Sequence, residues 1–264
     1  QVQASTASER QSLLEGTQLR AARWSLDDRD ATASLARLSA LPPAVGRRMA
    51  AMRLQLKAAR LAGQPDKALE TASLLAKHRA FSPQAAESLM TRLILDLLGQ
   101  THDAEALQRV WKRLSPSQRL MPFVAAEAAL RCLKLGGSAA TARLWLQDLW
   151  IPMQASPSVW SDAQLLRVVQ AFDACLPGVE AEDAFVWLSR VESAQQSQPR
   201  AAHLQYLAGM LCLRQRLLAQ AVKNLQAPTL QRKAWIALAE LAEQRQDPVH
   251  ATAAWKQAAS VLSD

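Results

Sequence analysis

The stretch that decides the fold is Trp235–Ala258, which reads WIALAELAEQRQDPVHATAAWKQA. Its first half is rich in Ala, Leu and Glu, which have high helix propensity, and it contains neither Gly nor Pro. Asp247 and Pro248 then mark a new start, since Asp caps helix N-termini and Pro is accepted in the first turn. A second helical pattern follows from Ala251. The stretch therefore predicts two helices joined by a tight turn, which is a helical hairpin.

The composition of the whole chain favours the same class of structure. Half of the 264 residues are hydrophobic, and the chain has only 8 Gly and 12 Pro. Runs of β-branched residues are almost absent, the longest being Val168-Val169, so no segment predicts a strand. We expect an all-α protein.

A small residue followed one turn later by an apolar residue recurs along the chain. The seven pairs are Ala31/Leu35, Ala68/Ala72, Ala106/Val110, Ala142/Leu146, Ala184/Leu188, Ala221/Leu225 and Ala251/Trp255. Their first members are separated by 37, 38, 36, 42, 37 and 30 residues. A small residue lets two helices approach closely, and the larger one fills the space against the next hairpin.

This recurrence predicts a right-handed solenoid of about seven antiparallel helical hairpins, formed by residues 1–264 as a single domain. The predicted repeats span 8–40, 43–79, 83–114, 117–150, 158–195, 199–226 and 228–262. An ordinary helical bundle is the alternative, but it does not explain seven similarly spaced alanines. A HEAT-like array has a similar period, but the Pro/Asp/Arg pattern of that class does not recur here.

The last repeat resembles the tetratricopeptide signature W-x2-L-G…A-x3-F-x2-A. Trp235, Leu238 and Ala239 match its first helix, with Ala where Gly is usual, and Ala251, Trp255 and Ala258 match its second. The earlier repeats are more degenerate. The resemblance implies a tetratricopeptide-like solenoid, a class that binds partners through its concave groove.

Charge and cysteine usage restrict the partners and the compartment. The formal net charge is +8, which attracts anionic partners, but the basic residues are spread along the chain without a block interleaved with aromatics. This argues against nucleic acid, whose binding would be steeply salt-dependent. The unpaired Cys132, Cys175 and Cys212 fit a reducing compartment.

Motifs of the common enzyme classes are missing from the sequence. There is no Walker-type Gly-rich loop, GxSxG or HExxH, and no CxxCH that would attach haem covalently. His78, His102, His203 and His250 are never three or four residues apart, so no helical metal-ligand pair is predicted. We expect no enzyme activity and no metal site.

Several segments resemble the HemY family of proteobacterial inner-membrane proteins. The most specific is Tyr206–Leu225, YLAGMLCLRQRLLAQAVKNL, which is similar to the family's LGRLCLRxxLWGKAxxYLxxS segment. Where the family has Trp-Gly-Lys, this chain has Leu218-Ala219-Gln220, so no role of that Trp or Lys is carried over. Further similar segments are Leu38–Leu41, Leu54–Leu61, Ala68–Lys77, Trp111–Pro116, Ala125–Lys134 and Gly136.

The resemblance implies a non-catalytic scaffold or regulator of late haem biosynthesis, with ferrochelatase or other pathway enzymes as protein partners. It also implies two transmembrane helices before Gln1, so that an N-terminal anchor would hold the domain at the inner membrane. Unpaired cysteines and an excess of Lys and Arg favour the cytoplasmic face. A haem- or porphyrin-binding carrier is the first alternative, and a generic repeat adaptor for an acidic partner is the second.

Counting back from the alanines predicts which side chains face the groove. The count selects basic residues in repeats one, two and four: Arg20, Arg23, Arg53, Lys57, Arg60, Arg131 and Lys134. Several cations in one concavity attract carboxylates, whether on a peptide, an acidic protein surface or a porphyrin. The alternative is that each is a solvated charge on a basic protein.

In repeat six the same count selects His203, Tyr206, Met210 and Arg214. Family context makes these the candidate haem-binding residues, because such side chains ligate haem iron or contact its propionates. Packing and surface roles are the alternative.

Among the eight tryptophans, Trp145, Trp187, Trp235 and Trp255 fit core sites between helices. Trp150 and Trp160 flank residues 151–158, which are predicted to form an irregular apolar loop that either contacts a partner or packs over a hairpin.

Overall fold

The computed structural model describes residues 2–155, 159–176, 183–199, 201–214 and 231–260. Within these ranges the chain is all-helical and contains no strand, as the composition predicts. The chain forms two compact units, Gln1–Thr101 and His102–Asp264, here called the N-terminal and C-terminal units. The third predicted repeat, 83–114, has one helix in each unit.

Six helices are described in the N-terminal unit. They are α1 (Val2–Asp27), α2 (Ala31–Ser39), α3 (Pro43–Gly46), α4 (Met49–Leu61), α5 (Pro65–Lys77) and α6 (Pro83–Gly99). Helices α1 and α2, α4 and α5, and α5 and α6 pack as sequence neighbours, and α4 also packs against α1 and α2. The core of the N-terminal unit includes Ala22, Leu26 and Leu38 at the α1–α2 end. At the α4–α5 end it includes Met52, Ala68 and Leu75.

The C-terminal unit begins with α7 (Ala104–Arg113), α8 (Pro116–Arg119), α9 (Pro122–Lys134), α10 (Ala139–Ala155) and α11 (Asp162–Cys175). It continues with α12 (Ala184–Ser197), α13 (Ala202–Arg214), α14 (Gln231–Gln244) and α15 (Pro248–Ser260). Neighbours α9 and α10, α10 and α11, α12 and α13, and α14 and α15 pack together. Helix α11 also packs against α9 and α13, so alternate helices are in contact as well.

Several helices begin at side chains that cap their first turn. Asp30, Ser82 and Asp103 each accept a hydrogen bond from the backbone N–H three residues on, which satisfies a donor that the first turn leaves unpaired. Ser161 forms a capping box with Gln164. Gly63, which follows α4, has a φ of 65°, a conformation that glycine adopts without a steric penalty.

The recurring alanines that the structure describes are buried, with one exception. Ala31, Ala68, Ala142, Ala184 and Ala251 are at most 6% exposed, whereas Ala106 is half-buried. Each lies in the first turn or so of the second helix of its predicted hairpin. Ala221 lies outside the described residues. Of the apolar partners, Ala72 and Leu146 are buried.

Two predictions about apolar residues are wrong. Residues 151–155 belong to α10, which contains Pro152, rather than to an irregular loop. The helix continues because Trp150 and Met153 are buried, and because the side-chain amide of Gln198 donates to the Gln154 carbonyl at 2.8 Å near the helix end.

Trp255 is also not a core residue. It is 40% exposed, and its indole N–H donates to Glu243 at 2.8 Å. Trp187 is buried as predicted, while Trp145 and Trp235 are half-buried. Trp145 stacks on Trp111, with ring centroids 4.9 Å apart.

None of the described helices combines the length and the apolar character needed to cross a bilayer.

Candidate partner-binding cleft

A cleft of about 890 Å³ lies in the N-terminal unit. Its walls come from α4, from the turn between α4 and α5, and from α6. The lining residues are Arg53, Leu56, Lys57, Arg60, Leu61, Gly63, Gln64, Pro65, Phe81, Arg92, Leu93, Leu95, Asp96, Gly99 and Gln100. This volume falls in the range of pockets that take a small ligand or a few side chains of a peptide.

Three of the cations form one line along α4. Arg53, Lys57 and Arg60 are exposed and follow the helical spacing i, i+4, i+7, which covers about 10 Å along the axis. The opposite side of α4 carries Ala51, Met52 and Ala59, which are buried in the core. Burial of that apolar side fixes the rotation of the helix and directs the three cations towards the cleft.

Arg92 adds a fourth cation from α6, and Asp96 is the one acid among the described lining residues. Lys57 also approaches Asp27 of α1 at 3.9 Å, but both side chains are more than half exposed, so this pair is weak. The excess of positive charge therefore stays available to an anionic group.

The bottom of the cleft is apolar and its end is lined by amides. Leu56 and Leu93 are buried there, and Phe81 is half-buried. Gln100 donates to the Gly63 carbonyl at 3.2 Å. The side-chain oxygen of Gln64 is shielded from solvent and accepts no hydrogen bond among the described residues. The cleft thus combines cations, an apolar surface and a hydrogen-bond acceptor.

The structure brings together three of the seven predicted groove cations. Arg20 and Arg23 are exposed on α1 but do not line the cleft, and Arg131 and Lys134 belong to α9 of the C-terminal unit. Sequence reasoning missed Arg92. The 38-residue offset between Ala68 and Ala106 places Leu95 of repeat three at the position of Lys57 in repeat two. Arg92 lies about one helical turn before Leu95, so the recurrence could have indicated that it faces the same side.

Tyr206 and Arg214, two of the candidate haem-binding residues, contact Asp173 rather than an open groove. Tyr206 is buried, and its hydroxyl donates to Asp173 Oδ2 at 2.8 Å. Arg214 donates to Asp173 Oδ1 at 3.1 Å and to the Leu176 carbonyl at 3.3 Å. Burial and the negative charge of Asp173 raise the pKa of Tyr206, so the hydroxyl stays protonated and donates. The groove position predicted for Tyr206 is wrong because the buried Asp173 carboxylate needs donors.

A second arginine contact in the same unit was not predicted. The Arg143 guanidinium is buried and binds both oxygens of Asp183, at 2.9 and 2.7 Å. It also donates to the Cys175 carbonyl at 2.6 Å. Arg143 and Arg214 therefore satisfy successive carbonyls, of Cys175 and Leu176, where α11 ends.

His203 and Met210, the other two candidates, are half-buried. His203 Nε2 is shielded from solvent without a hydrogen-bond partner among the described residues, and burial lowers the pKa of this imidazole. The ring is therefore neutral at pH 7.

The cysteines have no features of a reactive site. All three are buried, and none forms a disulfide within the described residues. Burial raises the pKa of Cys175 to about 12 although Arg143 opposes this shift, so its thiolate is not populated near pH 7. The described residues also contain no group of three or more His, Cys, Asp or Glu side chains placed to hold a metal ion.

Comparison with protein-family models and with curated proteins gives no match.

Proposed function

We propose that this chain is a non-catalytic binding module whose N-terminal cleft takes an acidic segment of a partner protein. The observation that carries the proposal is the charge of the cleft: its described lining residues include four cations and one acid, next to an apolar surface. Carboxylates of a bound segment would form charge-assisted hydrogen bonds with the arginines, and its apolar side chains would contact Leu56, Leu93 and Phe81.

The test uses a fluorescein-labelled acidic peptide and its counterpart with Gln in place of Glu. Reversing the arginines, Arg53→Glu/Arg60→Glu/Arg92→Glu, should weaken binding of the acidic peptide by at least about tenfold in fluorescence anisotropy. The matched control is Arg47→Glu/Lys67→Glu/Lys77→Glu, which reverses three exposed cations of the N-terminal unit outside the cleft. Equal losses of affinity in the two variants would mean that binding depends only on net charge, which would contradict the cleft as the binding site.

We further propose that the helices stack as tetratricopeptide-like hairpins and that the module acts as a HemY-like scaffold for late haem-biosynthesis enzymes at the inner membrane. The buried alanines and the packing of alternate helices support the hairpin stacking. The specific partner proposed is ferrochelatase. Pull-down of ferrochelatase by the chain, and its loss in Arg53→Glu/Lys57→Glu/Arg60→Glu, would support this role. Retention by that variant would argue against the cleft as the contact.

A haem or porphyrin carrier is the second candidate, and one observation favours it. The neutral His203 imidazole with an unpaired Nε2 is the form that ligates iron. Haemin titration should then give a Soret shift that His203→Ala abolishes. Absence of the shift at micromolar protein would reject the carrier and leave the acidic-segment proposal unaffected, since the cleft of the N-terminal unit does not contain His203.

A further inference from the structure

The C-terminal unit has a second surface that is independent of the cationic cleft. Two clefts, of about 520 and 530 Å³, lie along α10 and share Gln147 and Arg190. The first also reaches α8, through Arg119 and Leu120, and the second reaches α12 through Val186. The two clefts are neighbours because Gln147 and Arg190 line both of them, and they are together called the α10 groove.

The base of the α10 groove is aromatic and its rims are apolar. Trp150 and Trp187 are buried and meet edge to face, with centroids 5.8 Å apart. Above them, large apolar side chains are left in solvent: Leu144 is 64% exposed and Ile151 is 74% exposed. Val186 and Leu120 are exposed as well. A cluster of exposed apolar side chains around clefts is typical of a surface that contacts a partner.

Two cations of the groove lie over tryptophan rings. The Arg190 guanidinium lies 5.0 Å from the Trp187 ring centroid, and that of Arg119 lies 5.9 Å from the Trp111 ring centroid. Arg119 also donates to the carbonyls of Trp111 and Lys112, at 3.0 and 2.7 Å. The cation–π contact restrains the Arg190 side chain while its guanidinium N–H groups can still bind a carboxylate, so less entropy is lost on binding.

The charge of the groove favours an anionic group next to Arg190. Arg143 and Asp183 neutralise each other, and Asp148 is the other acid among the lining residues that the structure describes. Within the described ranges neither Arg190 nor Arg119 has a carboxylate partner. Arg190 is common to both clefts, so a carboxylate bound there would have apolar side chains on either side of it.

The spacing of the apolar side chains indicates the form of the bound segment. Leu144 and Ile151 are seven residues apart on α10, which is about 10 Å or two helical turns. A helix lying along α10 presents side chains at i, i+3 or i+4, and i+7 over the same distance. We propose that the α10 groove binds an amphipathic helix of a partner protein, with apolar residues at i and i+7 and a carboxylate at i+3 or i+4 that binds Arg190.

The test is selection of helical peptides from a phage-displayed library on the full chain. Peptides that also bind Leu144→Ser/Ile151→Ser are removed by counter-selection. The enriched peptides should carry a carboxylate between two apolar residues. Arg190→Gln should weaken the binding of these peptides by about tenfold. Replacing the peptide carboxylate with an amide should remove the difference in affinity between wild type and variant. Arg109→Gln, an exposed arginine of α7 outside the groove, is the control and should have no effect.

Several results would overturn the proposal: no enrichment over the counter-selection variant, enriched peptides without a carboxylate, or equal binding by Arg190→Gln. If the chain dimerises in sedimentation velocity and Leu144→Ser/Ile151→Ser abolishes the dimer, a second copy of the chain occupies the groove instead of a partner helix. Binding of the chain to anionic vesicles that is lost in the same variant would assign it to a lipid surface. Circular dichroism checks that each variant is folded. Because the N-terminal cleft is unaltered, its acidic-peptide binding reports on the first proposal separately.

Discussion

The cleft arginines of the N-terminal unit and Arg143 of the C-terminal unit have different environments. In the N-terminal unit, Arg53 and Arg60 are exposed and line an open cleft. In the C-terminal unit, Arg143 is 5% exposed, and its guanidinium binds a carboxylate and a backbone carbonyl. An exposed guanidinium adds little to stability and remains able to bind a ligand, whereas a buried one with satisfied donors supports the fold. The comparison shows that an arginine in a basic helical protein has to be interpreted from its burial and its partners.

The largest effect is expected at the buried arginine. Arg143→Met should lower the free energy of unfolding by about 3 kcal/mol, because it leaves Asp183 and the Cys175 carbonyl without their donor. Urea denaturation followed by circular dichroism measures the loss. Arg109→Met is the control, since Arg109 is 68% exposed and only approaches Glu105 at 3.8 Å. Equal stability of the two variants would contradict the structural role of Arg143.

Glycine substitutions extend the comparison to the backbone. A Cβ added at Gly137 would lie 2.5 Å from Cys132 Sγ and 2.9 Å from the Cys132 carbonyl oxygen. Gly137→Ala should therefore destabilise the protein by about 2 kcal/mol. At Gly63 there is open space but φ is 65°, so Gly63→Ala should cost only about 1 kcal/mol. The reverse order in thermal unfolding would contradict this account.

Tyr206 provides a pH-dependent test of the buried network. Tyr206→Phe removes a donor to the Asp173 carboxylate and should cost about 1.5 kcal/mol at pH 7. Because the folded pKa is raised above the unfolded value of about 10, the contribution of this hydroxyl is complete below pH 10 and is lost as pH rises further.

The chain has a single tyrosine, so phenolate absorbance reports on this residue alone. Ionisation should coincide with unfolding at alkaline pH, and the stability difference between wild type and Tyr206→Phe should shrink there. Ionisation near pH 10 in the folded protein would mean that the hydroxyl is not buried against Asp173.

How far the sequence predicts these features depends on the range of the interaction. Helix breaks and caps are set by neighbouring residues, so Asp30, Ser82 and Asp103 are recognisable from local sequence. The buried face of α4 is also local, because helical spacing places Arg53, Lys57 and Arg60 on the side opposite the core.

The pairing of Arg143 with Asp183 joins residues 40 positions apart, and no spacing in a single sequence indicates it. The inward position of Tyr206 likewise depends on a distant residue, Asp173. Helical spacing shows which side of the helix Tyr206 lies on, but not whether that side faces an open groove or a buried carboxylate. The helical state of Pro152 was missed because the partner of the Gln154 carbonyl is the distant Gln198.

The smallest effect on stability is expected at the N-terminal cleft. Arg53→Glu/Arg60→Glu/Arg92→Glu should change the free energy of unfolding by no more than about 0.5 kcal/mol per substitution, since Arg53 and Arg60 are exposed and removing repulsion among cations offsets lost contacts. The same variant should nevertheless lose acidic-peptide binding, with a salt dependence shallower than that of the wild type. If urea denaturation instead shows a loss comparable to that of Arg143→Met, the cleft arginines support the fold as Arg143 does, and the contrast between the two units does not hold.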